Sequence, residues 1–257
     1  MTERIMPGTA LWDAHYAEHL QRYAFVAERM NPGARVLDAG CGCGYGSAYL
    51  ADSGARKVVA VDISAEALAM ARRRFDRASV TWLEEDCHTL AAAGEHAPFD
   101  VICNLENLEH LSEPGRFLDR ALDLLEPEGI FVASTPNRET VNRLRGLRSD
   151  AAPANPFHSH EFSEEEFRAL LVSRFRDVTF FYQTWDPVDR LVYEPVLDAL
   201  WSNPAIRLGR WLQRAVRGRA IAERAEDLLP QRRYQILSES PGSALVLTNI
   251  ALCRAPR

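Results

Sequence analysis

The chain has 257 residues, of which 47% are hydrophobic and 26% charged, a composition typical of a soluble globular protein with a substantial core. Its formal net charge of −6 argues against the basic surface that general nucleic-acid binding requires. No apolar run is long enough to span a membrane, and no signal-peptide core follows Met1. The number of cysteines, five, is odd, which favours reduced thiols over a framework of disulfides. We therefore expect a cytoplasmic protein with reduced thiols and no membrane span.

The first predicted element is a helix over residues 9–30. Four residues recur in it at helical spacing: Trp12, Tyr16, Leu20 and Tyr23. This stripe either packs against the core or closes over a bound ligand, and the sequence leaves both interpretations open. Tyr16 is the ligand-binding candidate in this helix. Asn31-Pro32-Gly33 then breaks the helix before the first strand.

A glycine-rich turn follows that strand. Residues 35–37 are predicted to form a short buried strand that ends at Asp38, and glycines then alternate over residues 40–46 before a helix begins. Alternate glycines let the backbone approach a ligand closely, and a strand, a glycine turn and a helix start form the usual nucleotide site of an open α/β sheet. The spacing does not fit the dinucleotide pattern G-x-G-x-x-G, and a carboxylate at Asp38 suits a ligand that carries a free amino group.

The second predicted strand, residues 57–61, ends at Asp62. This residue lies 18 positions after Gly44, near the spacing at which an acidic side chain binds the ribose hydroxyls in nucleotide-binding α/β folds. Ser64 then provides a helix cap.

Three further strands are predicted before residue 135. Residues 80–83 lead to Asp86, whose carboxylate can accept a hydrogen bond from an adenine amino group. Residues 99–103 form a fourth strand that is followed by the polar stretch 104–110, and residues 130–134 form a fifth. Because helices alternate with these strands, we predict a parallel, doubly wound sheet.

The stretch after Arg138 is predicted to be a loop of about twenty-five residues, a length at which loops usually have a function. It carries His158 and His160. A helix then begins with Ser163 as its cap and Glu166 three residues later, as in a capping box.

The last two predicted strands cover residues 175–183 and 244–253. Between them lie roughly sixty residues of helical pattern, far more than a short strand connection needs, so we interpret this segment as an insertion. Arginines fall on one helical face of residues 207–217.

These motifs, in this order, resemble those of class I S-adenosylmethionine-dependent methyltransferases over residues 13 to about 183. The resemblance implies an α/β fold with a doubly wound, seven-stranded Rossmann-like sheet and a helical insertion between strands six and seven. Residues 1–185 would form the methyltransferase core, 186–240 a lid or an oligomer surface, and 241–257 the last core strand. The strings at residues 134–138 and 155–158 resemble a bacterial subgroup that acts on sugars, glycans or secondary metabolites.

The same resemblance implies roles for individual residues. The glycines would hold the methionine part of S-adenosylmethionine with Asp38 near its amino group, Asp62 would bind the ribose, and the residues after strands two to four would contact the adenine and the methyl. The implied cofactor-binding residues are Tyr16, Asp38, Gly40, Cys41, Gly42, Gly44, Asp62, Ile63, Asp86, Cys87, Asn104 and Leu105.

Methyl transfer to an alcohol requires removal of the acceptor proton, and histidine is the commonest base. The sequence offers His158, His110 and His160, in that order of preference, on loops at the ligand-binding edge of the sheet. We therefore predict O-methylation of a sugar, a glycan or a hydroxylated small-molecule natural product. The alternatives are N-methylation of an amino sugar or amine metabolite, a non-catalytic relative of the fold, and a dehydrogenase. The arginine-rich insertion leaves open an anionic acceptor and a homodimer.

The stretch Glu106-x-x-Glu109-His110 resembles a metal-binding motif of quinone-biosynthesis O-methyltransferases. A partner acid near Ala48 is absent from this sequence. We therefore predict that no metal is bound and keep a divalent ion as the alternative.

Overall fold

The computed structural model describes residues 10–144, 146–153, 155–185, 234–241 and 246–256. The strands within these ranges are β1 (Arg35–Ala39), β2 (Lys57–Asp62), β3 (Val80–Glu84), β4 (Phe99–Leu105), β5 (Leu125–Pro136), β6 (Phe175–Trp185), β7 (Tyr234–Leu237) and β8 (Thr248–Pro256). The helices are α1 (Ala10–Ala27), α2 (Tyr45–Asp52), α3 (Ala65–Arg74), α4 (Ala91–Gly94), α5 (Pro114–Leu124), α6 (Arg138–Leu144) and α7 (Glu164–Val172), with a 3₁₀ turn at Leu108–His110.

The strands form one mixed sheet in the order β3-β2-β1-β4-β5-β8-β6-β7. The first five strands are parallel, whereas β8 runs antiparallel to β5 and β6, and β7 runs antiparallel to β6. The strand order reverses between β1 and β4, where Asp38 pairs in register with Cys103. In open α/β sheets the crevice at such a reversal, outside the carboxyl ends of the strands, is the usual ligand site.

Two apolar clusters cover the two faces of the sheet. Val36 belongs to one cluster and Leu37 to the other, as expected for neighbouring residues of a strand. Tyr23 of α1 packs in the first cluster, and Phe117 of α5 and Phe167 of α7 pack in the second. Because both faces are covered by helices, the parallel strands read as continuous apolar runs in the sequence.

The predicted α/β, doubly wound, Rossmann-like fold is confirmed, but the described residues form a sheet of eight strands rather than seven. The additional strand β7 lies inside the segment for which the sequence predicted helices. Its residues pair with the end of β6, from Tyr182 opposite Leu237 to Trp185 opposite Tyr234. Extension of β6 beyond residue 183 provides the edge on which β7 forms. The rest of the predicted insertion, residues 186–233 with the arginine face, lies outside the described residues.

Two local features lie in the segment between β5 and β6. The predicted long loop contains α6, which begins where the Asn137 Oδ1 accepts a hydrogen bond of 2.9 Å from the Thr140 N–H. The predicted capping box of α7 is present, because the Ser163 Oγ accepts from the Glu166 N–H and the Glu166 carboxylate accepts from the Ser163 N–H.

No helix among the described residues is long and apolar enough to cross a membrane.

The contact of α1 with α2 provides a test of the fold. A Cβ at Gly46 of α2 would overlap the ring of Tyr23, whose hydroxyl donates to Asp38. We expect Gly46→Ala to lower the free energy of unfolding by about 1–3 kcal/mol, because overpacking exceeds the gain in helix propensity. Urea denaturation measures this change.

Gly115→Ala is the matched control within α5. Its Cβ would meet only the end of the Arg174 side chain, with Nη2 at 2.9 Å, and this group can move away. The free energy of unfolding should stay constant or rise by up to about 1 kcal/mol. Equal effects of the two substitutions would contradict the proposed packing of Tyr23 on the glycine turn.

Candidate functional site

The glycine turn between β1 and α2 has two kinds of glycine. Gly40 and Gly44 have φ of +84°, and a Cβ on them would overlap the Asn107 side chain or lie 2.6 Å from the Trp82 ring. Gly42 also has a positive φ, +54°, but a Cβ there would have nothing within 4 Å. Contacts within the protein therefore require glycine at positions 40 and 44. Gly42 instead faces open space in which a ligand can approach the backbone.

Asp38 lies buried beneath this turn. Its carboxylate accepts hydrogen bonds from the Ser47 Oγ at 2.6 Å, from the Tyr23 hydroxyl at 3.3 Å and from the Cys103 Sγ at 3.6 Å. Burial raises the pKa of the Asp38 carboxyl to about 6, and these hydrogen bonds oppose the rise. In this structure Asp38 ties α1, α2 and β4 to the turn, and its predicted contact with a cofactor amino group stays a prediction.

Asp62, at the end of β2, joins the turn to α3. One carboxylate oxygen accepts from the Gly42 N–H at 2.9 Å and the other accepts from the Ser64 N–H at 2.8 Å. The next residue, Ile63, is 67% exposed, which is unusual for a large apolar side chain beside a polar crevice. An exposed apolar surface next to an oriented carboxylate suits the adenine and ribose predicted for this edge.

The end of β3 also reaches the turn. The Asp86 carboxylate accepts hydrogen bonds from the His88 N–H and the His88 ring, and the bond from the backbone N–H lowers its pKa. The buried thiol of Cys87 accepts from the Asn107 Nδ2 at 3.9 Å. Asn107, which the sequence did not single out, thus bridges the third strand and Gly40; the tight contact that makes Gly40 obligatory becomes visible only in the fold.

At the end of β4, Asn104 is buried and its Nδ2 donates to the Ala39 carbonyl oxygen at 2.8 Å. Its Oδ1 is buried and has no hydrogen-bond partner among the described residues. A buried amide oxygen left in this state costs free energy unless a donor reaches it. Leu105, the adjacent predicted residue, is buried as well.

The predicted aromatic stripe of α1 lies over the start of α2. The rings of Tyr16 and Tyr45 pack edge to face with centroids 5.5 Å apart, and the Tyr45 hydroxyl hydrogen-bonds to the His19 ring at 3.1 Å. Tyr16 therefore packs on Tyr45, the first residue of α2, which directly follows Gly44 of the glycine turn. Cys41 is buried in the turn itself, and its N–H donates to the Val61 carbonyl at 2.9 Å.

A buried arginine of α1 connects this region to β6, to β8 and to the turn after β4. Arg22 donates to the Glu18 carboxylate at 3.2 Å, to the Thr248 hydroxyl at 3.4 Å and to the Gln183 side-chain oxygen. Its Nη2 lies 3.9 Å from the Glu106 carboxylate. The sequence analysis missed this network, because three of the four partners of Arg22 lie far from it in the chain.

Two of the three predicted catalytic histidines come together. The rings of His110 and His158 lie edge to face with centroids 4.9 Å apart. The His158 Nδ1 hydrogen-bonds to the Glu161 carboxylate at 3.0 Å, and the His110 Nδ1 donates to the Phe157 carbonyl at 3.0 Å. Glu161 was not predicted, although its sequence position three residues after His158 was a signal that could have found it.

The pair is assembled by docking of the long loop on the 3₁₀ turn. The N–H groups of Ser159 and His160 both donate to the Glu109 carbonyl, at 2.7 and 3.1 Å. The His160 ring points away from the other two, and its Nε2 lies 3.3 Å from the Glu166 carboxylate. Residues two apart in an extended segment would share a face, so the bend at Ser159 is what separates His160 from His158. The structure therefore does not bring His160 to the other two histidines.

Two carboxylates lie beside the histidine pair, that of the buried Glu109 and that of the partly buried Glu106. Glu109 accepts from the Thr135 hydroxyl at 3.2 Å, and burial together with the charge of Glu106 raises its pKa well above the usual range. Burial also raises the pKa of Glu106, against the opposing charge of Arg22. Ligand-type atoms of Glu109, His110 and His158 lie within 4.8 Å of one another. The prediction that no metal is bound stays a prediction.

Comparisons with known proteins agree on the family of this fold. A family model described as a methyltransferase domain matches residues 12–174. A relative from Mycolicibacterium smegmatis, named "Probable S-adenosylmethionine-dependent methyltransferase", is 34% identical over 169 residues, which are 66% of this chain and 62% of the relative. A ubiquinone biosynthesis O-methyltransferase from Azorhizobium caulinodans is 41% identical over 123 residues, which are 46% of this chain and 47% of that protein.

A solved structure supports the fold over nearly the whole chain. The crystal structure of an S-adenosylmethionine-dependent methyltransferase from Thermotoga maritima superposes with a TM-score of 0.58 at 14% identity and covers 94% of this chain and 91% of that chain. The chain spans less than two thirds of the length of both relatives named above.

The carboxyl of Asp38 provides a pH-dependent test. Because burial holds its pKa at about 6 in the folded state, above the unfolded value, the folded protein retains a proton that the unfolded chain loses between about pH 4 and about pH 6. The free energy of unfolding therefore contains a contribution that falls as the pH rises through this window. Asp38→Asn removes it, so the stability of wild type relative to Asp38→Asn should fall by roughly 1–3 kcal/mol from about pH 4 to about pH 7.

Asp52→Asn is the control, measured by the same urea titrations. The exposed Asp52 pairs with Arg77, whose hydrogen bond lowers the pKa of Asp52, so its relative stability should change in the opposite direction and by less. A relative stability of the Asp38 variant that stays constant with pH would contradict the assignment of a buried, neutralisable carboxyl.

Proposed function

Because the chain belongs to the family of S-adenosylmethionine-dependent methyltransferases, we propose that it transfers a methyl group to a hydroxyl group of a sugar, a glycan or another hydroxylated small molecule. The observation that supports oxygen as the acceptor atom is the pair of histidines, His110 and His158. An alcohol must lose its proton during transfer, whereas an amine can react without a base.

The residues at the carboxyl edge of the sheet fit the cofactor. Gly42 leaves open space against the backbone, the Asp62 carboxylate is oriented by two N–H groups, and Ile63 offers an exposed apolar surface. The buried Oδ1 of Asn104 lacks a donor among the described residues, and an ammonium group would supply one. When bound, S-adenosylmethionine supplies a methyl group whose carbon–sulfur bond breaks with the electron pair left on sulfur.

The protein itself has to orient the acceptor and take its proton. In-line transfer depends on positioning, which a rigid edge of a sheet provides. His110 follows β4 directly, beyond Asn104, and His158 is held against it by the docked loop. Both imidazoles have their Nδ1 engaged by an oxygen, which places the basic lone pair of each ring on Nε2.

The relatives do not fix the acceptor atom, since the Thermotoga maritima structure is named a "possible histamine N-methyltransferase". One is named for O-methylation in ubiquinone biosynthesis, and the strings at residues 134–138 and 155–158 resemble the subgroup that methylates sugars and secondary metabolites. The insertion that the sequence predicts after β6 is our candidate for acceptor specificity or a dimer contact. N-methylation of an amine is the alternative, and the histidine test below separates the two.

Asp62 is the first target for mutagenesis. We expect Asp62→Ala to weaken the binding of S-adenosylmethionine by about 1–3 kcal/mol, because ribose hydroxyls lose an acceptor and the Gly42 N–H loses its partner. Isothermal titration calorimetry measures the affinity. Asp100→Ala is the control, since Asp100 also accepts from a backbone N–H, that of Arg35 at 2.7 Å, but at the opposite edge of the sheet. Equal affinities of wild type and Asp62→Ala would place the ribose elsewhere.

The histidines are tested by turnover. With a hydroxyl acceptor at saturation, His158→Ala should lose about 10²–10⁴-fold in kcat if it is the base, with His110→Ala as the second candidate, while cofactor affinity stays nearly unchanged. His96→Ala is the matched control, because His96 precedes β4 at the other edge of the sheet. Wild-type turnover in both site variants would exclude a histidine base and favour an amine acceptor.

A further inference from the structure

The side chain of Glu161 is fully buried at the end of the docked loop. Its exposed fraction is 0%, and that of the His158 side chain, which it contacts at 3.0 Å, is 7%. A buried carboxylate is costly unless a partner compensates for its loss of hydration. The His158–Glu161 pair therefore differs from a surface ion pair, because neither side chain is solvated.

The same segment contains a second histidine–glutamate pair for comparison. His160 and Glu166 are 3.3 Å apart, but their side chains are 46% and 42% exposed. Glu166 also accepts from Arg138 at 2.7 Å and caps α7 through the Ser163 N–H. Helix capping explains Glu166, whereas Glu161 faces the histidine pair.

The hydrogen bonds around His158 determine which ring nitrogen carries the proton. The Asn155 Oδ1 accepts from the Phe157 N–H at 3.1 Å, so the amide nitrogen of Asn155 is the atom that faces the His158 Nε2 at 3.0 Å. An amide nitrogen can only donate, so this contact favours a neutral ring that accepts at Nε2 and carries its proton on Nδ1. That proton points at the Glu161 carboxylate, which can only accept when ionised.

We propose that Glu161 is the positioning residue of this site, and that it holds His158 with the proton on Nδ1 and the lone pair on Nε2, where the proton of the acceptor hydroxyl is taken up. This inference rests on the proposed function. The acceptor would replace Asn155 as the partner of Nε2. As the oxygen gains the methyl group, its proton passes to Nε2, and the Glu161 carboxylate balances the charge of the resulting imidazolium until the proton leaves to solvent.

The tautomer can be measured without any change at Glu161. In protein labelled with ¹⁵N-histidine, the His158 resonances are assigned by their loss in His158→Gln. The neutral ring should show a protonated Nδ1 and an unprotonated Nε2. In Glu161→Gln the amide can also donate to Nδ1, so the opposite tautomer should become populated. A neutral wild-type ring with its proton on Nε2 would overturn the proposal.

Turnover then separates a positioning role from a structural one. Glu161→Gln should lose about 10²-fold or more in kcat, while the acceptor KM and the calorimetric affinity for S-adenosylmethionine stay within about twofold. Glu165→Gln is the matched control, an exposed glutamate four residues along the same segment, and should keep wild-type values.

The outcomes distinguish this inference from the function on which it rests. Loss of turnover in His158→Ala with full turnover in Glu161→Gln would refute the role of Glu161 and leave His158 as the base. Full turnover in His158→Ala would refute this inference, and full turnover in His110→Ala as well would refute the histidine base of the proposed function. Loss of turnover in both variants, with retained cofactor affinity and the shifted tautomer in Glu161→Gln, is the result that supports the proposal.

Discussion

The buried carboxylate of Asp38 is the constraint on which the glycine turn and the elements around it depend. A carboxylate without water must be hydrogen-bonded, and its donors come from Tyr23, Ser47 and Cys103. These residues belong to α1, α2 and β4, so satisfying one acid fixes three elements relative to β1. The glycine turn above it is thereby held in the left-handed conformations that only glycine adopts without strain.

The glycine turn and the histidine pair are joined through the end of β4. Asn104 bonds back to β1 through the Ala39 carbonyl, and the chain then turns at Glu106, a non-glycine residue with φ of +53°. Such a conformation persists only where surrounding contacts determine it, and here the Glu106 N–H and carboxylate both bond to Ser134 of β5. The positive charge of Arg22, 3.9 Å from the Glu106 carboxylate, compensates the negative charge of that carboxylate.

The histidine site is built from a different principle, the docking of a long loop on a short 3₁₀ turn. Backbone N–H groups of Ser159 and His160 converge on the Glu109 carbonyl, so the loop is held by main-chain bonds. Its side chains are then free to differ in role. His158 turns inward to Glu161, and His160 turns outward to the start of α7. One segment thus supplies both a member of the histidine pair and a contact to α7.

The sequence alone determined the features that depend on neighbouring residues, namely the glycine turn, the alternation of strands and helices, the acid ending β2 and the capping box at Ser163. Each is a local pattern with a local physical cause, so no tertiary contact was needed to find it. Only the tertiary structure decided that His158 meets His110 while His160 does not. It also decided that β7 extends the sheet and that Arg22 lies buried against Glu106. These outcomes depend on contacts between residues far apart in the chain, whose geometry is fixed only when the sheet and its loops pack together.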